Sequence, residues 1–309
     1  MEMTEAVLHL KFGIPFLFFQ RPEWDKFPGA VHTYAADTLM PDGRVLQLPS
    51  THLLGTNFAK AFNVYYQDEK GGRSPVWQTC YGPAISRIYG ALFSVHGDNK
   101  GLVLPFDFAP VQVVIVPILG KGQDGSAVLK YAQAVGGLLT EAGLRTRVDS
   151  SPNTPGFKYN QWEMQGVPIR VEIGGREAEG KELTLVVRDA PPKTKKTIAL
   201  DSAVSAIRTE GSALSSRLLA KADAYFDSHL AHAKDMDGLK AALEKGCIVR
   251  VPYCSMEKKE GKACADEIKA KLVGDVRGIK YEEKAPAHGE KCVSCGKAAK
   301  HWAYVARQY

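Results

Sequence analysis

Six consecutive positions from Val111 to Val116 are apolar with one exception, and the run extends to Ile118, as suits a strand buried on both faces. From Ser126 to Ala142 the pattern changes to a helical period, with Val128, Tyr131, Ala132, Val135, Leu138 and Leu139 on the inward side. Gly143 follows where a left-handed residue commonly closes a helix. Arg145 to Val148, Pro168 to Ile173 and Leu183 to Arg188 read as further strands, with a helix over Gly156 to Gln165. Strand, helix, strand, helix, strand predicts an α/β layer with a mixed, mostly parallel sheet.

The stretch before this layer alternates short helices with strands. Thr4 to Phe12 suits a helix and Thr33 to Leu39 a strand; Pro41-Asp42-Gly43 is a turn before a second strand through Gln47. Thr56 to Phe62 looks helical, and Val64 to Gln67 and Val76 to Cys80 look like strands of an antiparallel sheet. Ile85 to Val95 shows a helical face of Ile88, Leu92 and Val95. After the layer, Ala190-Pro-Pro-Lys-Thr-Lys-Lys forms a basic connection to an Ala/Leu-rich stretch over Ala199 to Ala233, a long helix or a helical pair. The expected organisation is α/β and α+β, with segments 1–108, 109–200 and 201–309.

A chain of 309 residues suits two or three domains, and 45% hydrophobic with 24% charged residues is an ordinary globular composition. No apolar run approaches the ~20 residues of a membrane helix, and the amino terminus lacks signal-peptide order. The expected compartment is the cytosol and no membrane partner is expected. A net charge of +6 favours an acidic partner without proving one.

Six cysteines in a chain of this size do not suggest a disulfide framework. Cys292 and Cys295 form a Cys-x-x-Cys followed by Gly296, and Cys254 and Cys264 are available as a second pair. Four thiolates bind one tetrahedral zinc and leave no open position, so the metal would be structural. A redox pair is disfavoured by the polar tail around the motif. Cys247, between apolar neighbours, reads as packing, and Cys80 lies in another segment.

Several strings stand together in an informative order. Lys26-Phe-Pro-Gly-Ala, then Pro41-Asp-Gly-Arg-Val-Leu-Gln-Leu-Pro-Ser-Thr-His-Leu-Leu-Gly-Thr-Asn-Phe-Ala-Lys-Ala-Phe, resembles the loop and helix after motif 2 of prolyl-tRNA synthetases. Thr79-Cys-Tyr-Gly-Pro-Ala-Ile-Ser-Arg and Val95-His-Gly-Asp-Asn-Lys-Gly resemble the motif 3 region of that family. Val111-Gln-Val-Val-Ile-Val-Pro-Ile and Gly156-Phe-Lys-Tyr-Asn-Gln-Trp-Glu resemble its anticodon-binding domain. The four-cysteine tail ending in tyrosine is similar to the archaeal/eukaryotic type. Ser50 stands where the family pattern has threonine, and Ile85-Ser86 where archaeal/eukaryotic members carry two threonines.

The resemblance implies a proline–tRNA ligase that activates L-proline with ATP and Mg²⁺ and transfers it to tRNA(Pro). Attack of a carboxylate on the α-phosphate builds negative charge, which arginine and metal ions offset. By resemblance Arg87 is catalytic and binds ATP with Gln47 and Ser50. Phe27, His52 and Ser86 match the proline pocket. Glu163 and Arg170, with Lys193 as a further contact, match the readers of the anticodon guanines. Tyr309 matches a terminal residue whose carboxylate reaches towards the catalytic site. Zn²⁺ on the four cysteines and a homodimer of the full-length enzyme are also implied. Motifs 1 and 2 precede the matched region, so this chain alone is expected not to form prolyl-adenylate at a useful rate. The alternative is a non-catalytic tRNA-binding protein that retains the anticodon and zinc modules; a sister enzyme for threonine, histidine or glycine fits the Pro41-to-Phe62 string less well.

Overall fold

The computed structural model describes residues 1–120, 125–191, 194–283 and 285–309. In chain order its strands are β1 (Leu17–Gln20), β2 (His32–Leu39), β3 (Val45–Gly55), β4 (Tyr65–Gln67), β5 (Arg73–Pro75), β6 (Gln78–Gly82), β7 (Val113–Pro117) and β8 (Thr146–Val148). There follow β9 (Ile169–Ile173), β10 (Glu182–Val187), β11 (Lys196–Ala199), β12 (Leu230–His232), β13 (Ile248–Tyr253), β14 (Asp275–Lys280) and β15 (His301–Ala306). Contacts group these into two units. One comprises Met1–Thr4, Pro15–Ala91 and Ala224–Tyr309, and the other Glu5–Ile14 and Leu92–Asp223. Packing thus puts most of the expected first segment in one unit with the residues from Ala224 onward.

In the second unit five strands run in the order β11-β10-β9-β7-β8. β7 is parallel to both β8 and β9, but β10 is antiparallel to β9 and β11. The sheet is thus evenly mixed rather than mostly parallel. The reason is the short return: only Gly174, the helix Gly175–Gly180 and Lys181 separate β9 from β10, too little chain for a parallel crossover. Part of the basic connection also joins the ladder, with Lys196 opposite Leu185.

The helix Ser126–Glu141 buries Val128, Ala132, Val135 and Leu139 against Ile115, Ile169 and Val171. Leu138, expected inward, is exposed, so the apolar stripe is narrower than its sequence suggests. Gly136 allows close packing, because an added Cβ would stand 2.7 Å from Val148 Cγ2. The helix Pro155–Met164 begins at Thr154, whose hydroxyl accepts from the Phe157 amide, with Pro155 in the first turn.

The first unit is built on one eight-stranded sheet, β12-β13-β15-β14-β1-β2-β3-β6. β1 pairs antiparallel with β14 through Phe19 and Lys280, so strands from both ends of the chain share the ladder. Phe19, Leu39 and Val45 meet Phe226, Ile248 and Ala306 in one buried cluster. A second cluster gathers Leu239, Leu243, Val249, Val251, Tyr253, Ile268 and Val305 around the cysteines. β3 runs on to Gly55, well past the expected end near Gln47.

Candidate functional sites

Register places the predicted residues of β3 on a common face. Thr33, Ala35 and Asp37 alternate along β2, so they share one side of the sheet. Their partners on β3 are His52, Ser50 and Gln47. Two residues of β2 thus span three of β3, a bulge in the stretch that holds the buried Pro49. Proline has no amide for the ladder, which makes this a suitable place for the interruption. Without the bulge Gln47 would face away from Ser50 and His52.

His52 is buried and bridges two hydroxyls: Nδ1 lies 3.0 Å from Thr33 Oγ1, and Nε2 3.1 Å from Ser50 Oγ. Burial lowers its pKa, which keeps the ring neutral at neutral pH. The Phe27 ring centroid is 4.8 Å from that of His52, and the Phe27 amide donates to Thr33 Oγ1 at 2.9 Å. Phe27, Ser50 and His52 therefore form one contiguous wall, half apolar and half polar.

Gln47 joins a buried ionic group that sequence reasoning missed. Its Oε1 accepts from Arg21 Nη2 at 3.0 Å. Arg21 also grips Asp37 through two bonds of 3.0 and 2.6 Å, and Arg277 donates to the same carboxylate at 2.7 and 3.3 Å. Arg21, Asp37 and Arg277 are all buried. Burial pushes the Asp37 pKa up, but the two guanidiniums more than offset this and hold it below the usual range. The available signal was an acid inside the otherwise buried strand Ala35–Leu39, which demands partners.

Ser86 and Arg87 are exposed in the first turn of the helix Ile85–His96. Neither makes a hydrogen bond or ion pair with Gln47, Ser50 or His52. The helix starts just after β6, whose Gly82 lies opposite Ser50. Between them Ala84 adopts φ 53°, a left-handed conformation uncommon for alanine. Tyr309 lies at the start of β3, where its amide donates to Val45 O at 3.4 Å and the Arg44 guanidinium sits 5.7 Å from its ring centroid.

In the second unit the helix Pro155–Met164 and β9 bring Glu163 and Arg170 together, with Arg170 Nη1 3.0 Å from Glu163 Oε1. Arg170 Nε donates to Glu172 at 3.2 Å, and its guanidinium lies over the Tyr159 ring at 3.9 Å. Burial, with the Glu172 charge, pushes the Tyr159 pKa up to about 12. Arg188 donates to the Glu163 carbonyl and forms two bonds with Asp98, whose pKa these bonds lower to about 2. Lys193 lies outside the described residues.

The four cysteine sulfurs lie within 4.8 Å of one another. Cys254 follows β13, Cys264 lies in the helix Lys258–Leu272, and Cys292 and Cys295 flank a tight turn. In that turn the Gly296 amide donates to Cys292 O, and Gly296 takes φ 70°. Cys254 and Cys264 Sγ are 3.7 Å apart. A tetrahedron with metal–sulfur bonds of about 2.3 Å requires about 3.8 Å between sulfurs, whereas a disulfide needs about 2.05 Å. The cluster fits a metal ion and not a disulfide. Burial pushes the Cys264 thiol up to about 11, the direction a bound cation would reverse. Cys247 packs in the core as expected.

Comparison with known proteins accords with both units. The family described as "Anticodon binding domain" matches residues 112–210. An anticodon-binding module is thus matched within the second unit. The family described as "Prolyl-tRNA synthetase, C-terminal" matches residues 236–309. A proline–tRNA ligase of Thermofilum pendens is 46% identical, covering 100% of this chain and 63% of the relative. One of Methanothrix thermoacetophila is 41% identical over 97% of the chain and 60% of the relative. The prolyl-tRNA synthetase of Cryptosporidium parvum, solved with L-proline and AMP, superposes with a TM-score of 0.87 at 33% identity. It is covered over 64% of its length, and the chain over 100%. That of Giardia lamblia, solved with prolyl-adenylate, gives 0.91 at 29%, with 65% and 100% covered. The chain matches the carboxy-terminal portion of prolyl-tRNA synthetases along its whole length. It spans about three-fifths of the length of these curated relatives.

Proposed function

We propose that the chain contributes the amino-acid pocket wall, part of the nucleotide site and the anticodon reader of a proline–tRNA ligase. The observation that carries this reading is the shared face of Gln47, Ser50 and His52, created by the β3 bulge. Phe27 and the neutral His52 offer an apolar ring surface edged by hydroxyls, suited to the pyrrolidine of L-proline. Ser86 is assigned to the same pocket. Gln47 and Ser50 are assigned to ATP, with Arg87 and Mg²⁺ offsetting charge on the α-phosphate during adenylate formation. Exposure of Arg87 suits a group that reaches its partner only when nucleotide is present.

Glu163 and Arg170 are assigned to the guanines of the tRNA(Pro) anticodon, with Lys193 as a further contact. An arginine donates bidentately to guanine O6 and N7, while a carboxylate accepts from guanine N–H groups. The four cysteines would hold Zn²⁺ as a structural ion that ties β13, the following helix and the terminal turn together. Tyr309 is assigned a supporting role beside β3. Assembly as a homodimer and residence in the cytosol complete the proposal; among the described residues no helix is long and apolar enough to cross a membrane.

The test is filter binding of the chain to tRNA(Pro) and to variants with either anticodon guanine replaced. Preference for the natural anticodon supports the reading. Equal binding to all of them, at several salt concentrations, removes the anticodon assignment. Binding of L-proline and of ATP, measured by calorimetry, tests the pocket half, with His52→Ala and Arg87→Ala as the variants expected to weaken one and the other.

A further inference from the structure

We propose that Arg277 is a positioning residue that orients the Gln47 side-chain amide through Arg21 and Asp37. The inference rests on the nucleotide reading of Gln47 given above.

A guanidinium carries only donors, so its contact with Gln47 must be to the amide oxygen. The 3.0 Å bond from Arg21 Nη2 to Gln47 Oε1 thereby sets which way the amide is turned. Nε2 of Gln47 has no hydrogen-bond partner among the described residues, and the residue is only partly buried. Gln47 consequently offers a ligand two N–H donors, with its oxygen turned towards Arg21. Such a group selects an acceptor atom: a ring nitrogen, a ribose oxygen or a phosphate oxygen.

Arg21 can hold Gln47 only if it is itself held. Asp37 fixes its plane through two bonds, and Arg277 supplies a third through its backbone carbonyl at 2.9 Å. The Arg277 guanidinium in turn clamps Asp37 from the other side and donates to Gln308. Asp25, whose carboxylate lies 3.8 Å from Arg21 Nε, adds a second anion to the group and balances its charge. The path runs from β14 and the terminal residues to the bulged strand within one unit.

The test uses the full chain with its glutamine side-chain amides labelled with ¹⁵N. The Gln47 resonance is assigned by its disappearance in Gln47→Met. Arg277→Met is expected to shift that resonance, Arg277→Lys to restore it in part, and Gln308→Ala to move it less in the same direction. In parallel, ATP affinity is measured by calorimetry. Arg277→Met should weaken ATP binding about tenfold in the parent, as for one hydrogen bond to a charged ligand. It should have almost no effect in a Gln47→Met background. A Gln47 resonance unmoved by both Arg277 variants overturns the proposal, as does an equal loss of ATP affinity in both backgrounds. A parent chain that binds no ATP sinks the nucleotide reading of Gln47 instead, while the resonance still decides the positioning. Should Arg277→Met fail to fold, the lysine and Gln308 variants carry the test.

Discussion

Glu163 and Arg170 are bonded to each other at 3.0 Å, across the turn from helix Pro155–Met164 into β9. The pair is half sheltered, with side chains 23% and 13% exposed, so each group is pre-aligned by the other. On the proposed anticodon reading, a guanine would exchange that bond for its own.

Arg170→Ala should accordingly lower discrimination between natural and altered anticodons by about 1–3 kcal/mol, while the slope of affinity against salt stays close to the parent's. Filter binding at three salt concentrations checks this. A uniform loss across all anticodons would assign Arg170 to phosphate instead.

The purified chain should contain zinc at one equivalent by elemental analysis. A strong chelator should lower its melting temperature, and Cys292→Ser should do so without the chelator. Metal-free protein with an unchanged melting curve would refute the zinc assignment.

Asp37→Asn should be severe. It removes the buried anion that both guanidiniums grip, leaving the half-exposed Asp25 as a weaker partner, which costs about 3–5 kcal/mol by analogy with broken buried pairs. Urea denaturation measures the change. A loss under about 1 kcal/mol would show that water or an anion already reaches the group.

His9 contacts Glu5 and Asp223 at 2.7 Å each. Burial lowers its pKa, but the two carboxylates more than offset this and leave it raised. Its folded pKa lies above the unfolded value of 6.5, so the stabilisation is complete below that pH and is lost as pH rises through the folded value. Stability of the parent relative to His9→Phe should therefore decline from about pH 6 upward, in denaturant titrations at several pH values.

Local patterns were legible where neighbours in sequence decide the outcome. The helix Ser126–Glu141 and the strand β7 lie close to where periodicity puts them, and Gly143 closes the helix with φ 82°. Phe27, Ser50 and His52 are singled out by resemblance, and the structure places them side by side. What escaped depends on distant pairing. Arg21 and Arg277 lie 256 residues apart, and no local signal announces that they share Asp37. The bulge was equally hidden: alternation puts Gln47 and Ser50 on opposite faces, and only an unequal register reveals that they agree. Leu138 shows the opposite error, an apolar residue at a helical period that simply remains in solvent.

The pairing of β1 with β14 bears on how the chain is made. During synthesis β1 emerges long before β14, so one of its edges must wait until residues 275–280 have been made. Until then Leu17–Gln20 presents unpaired amides and carbonyls, a template for sticking to other nascent chains. Slow translation or premature termination should therefore be felt first as aggregation.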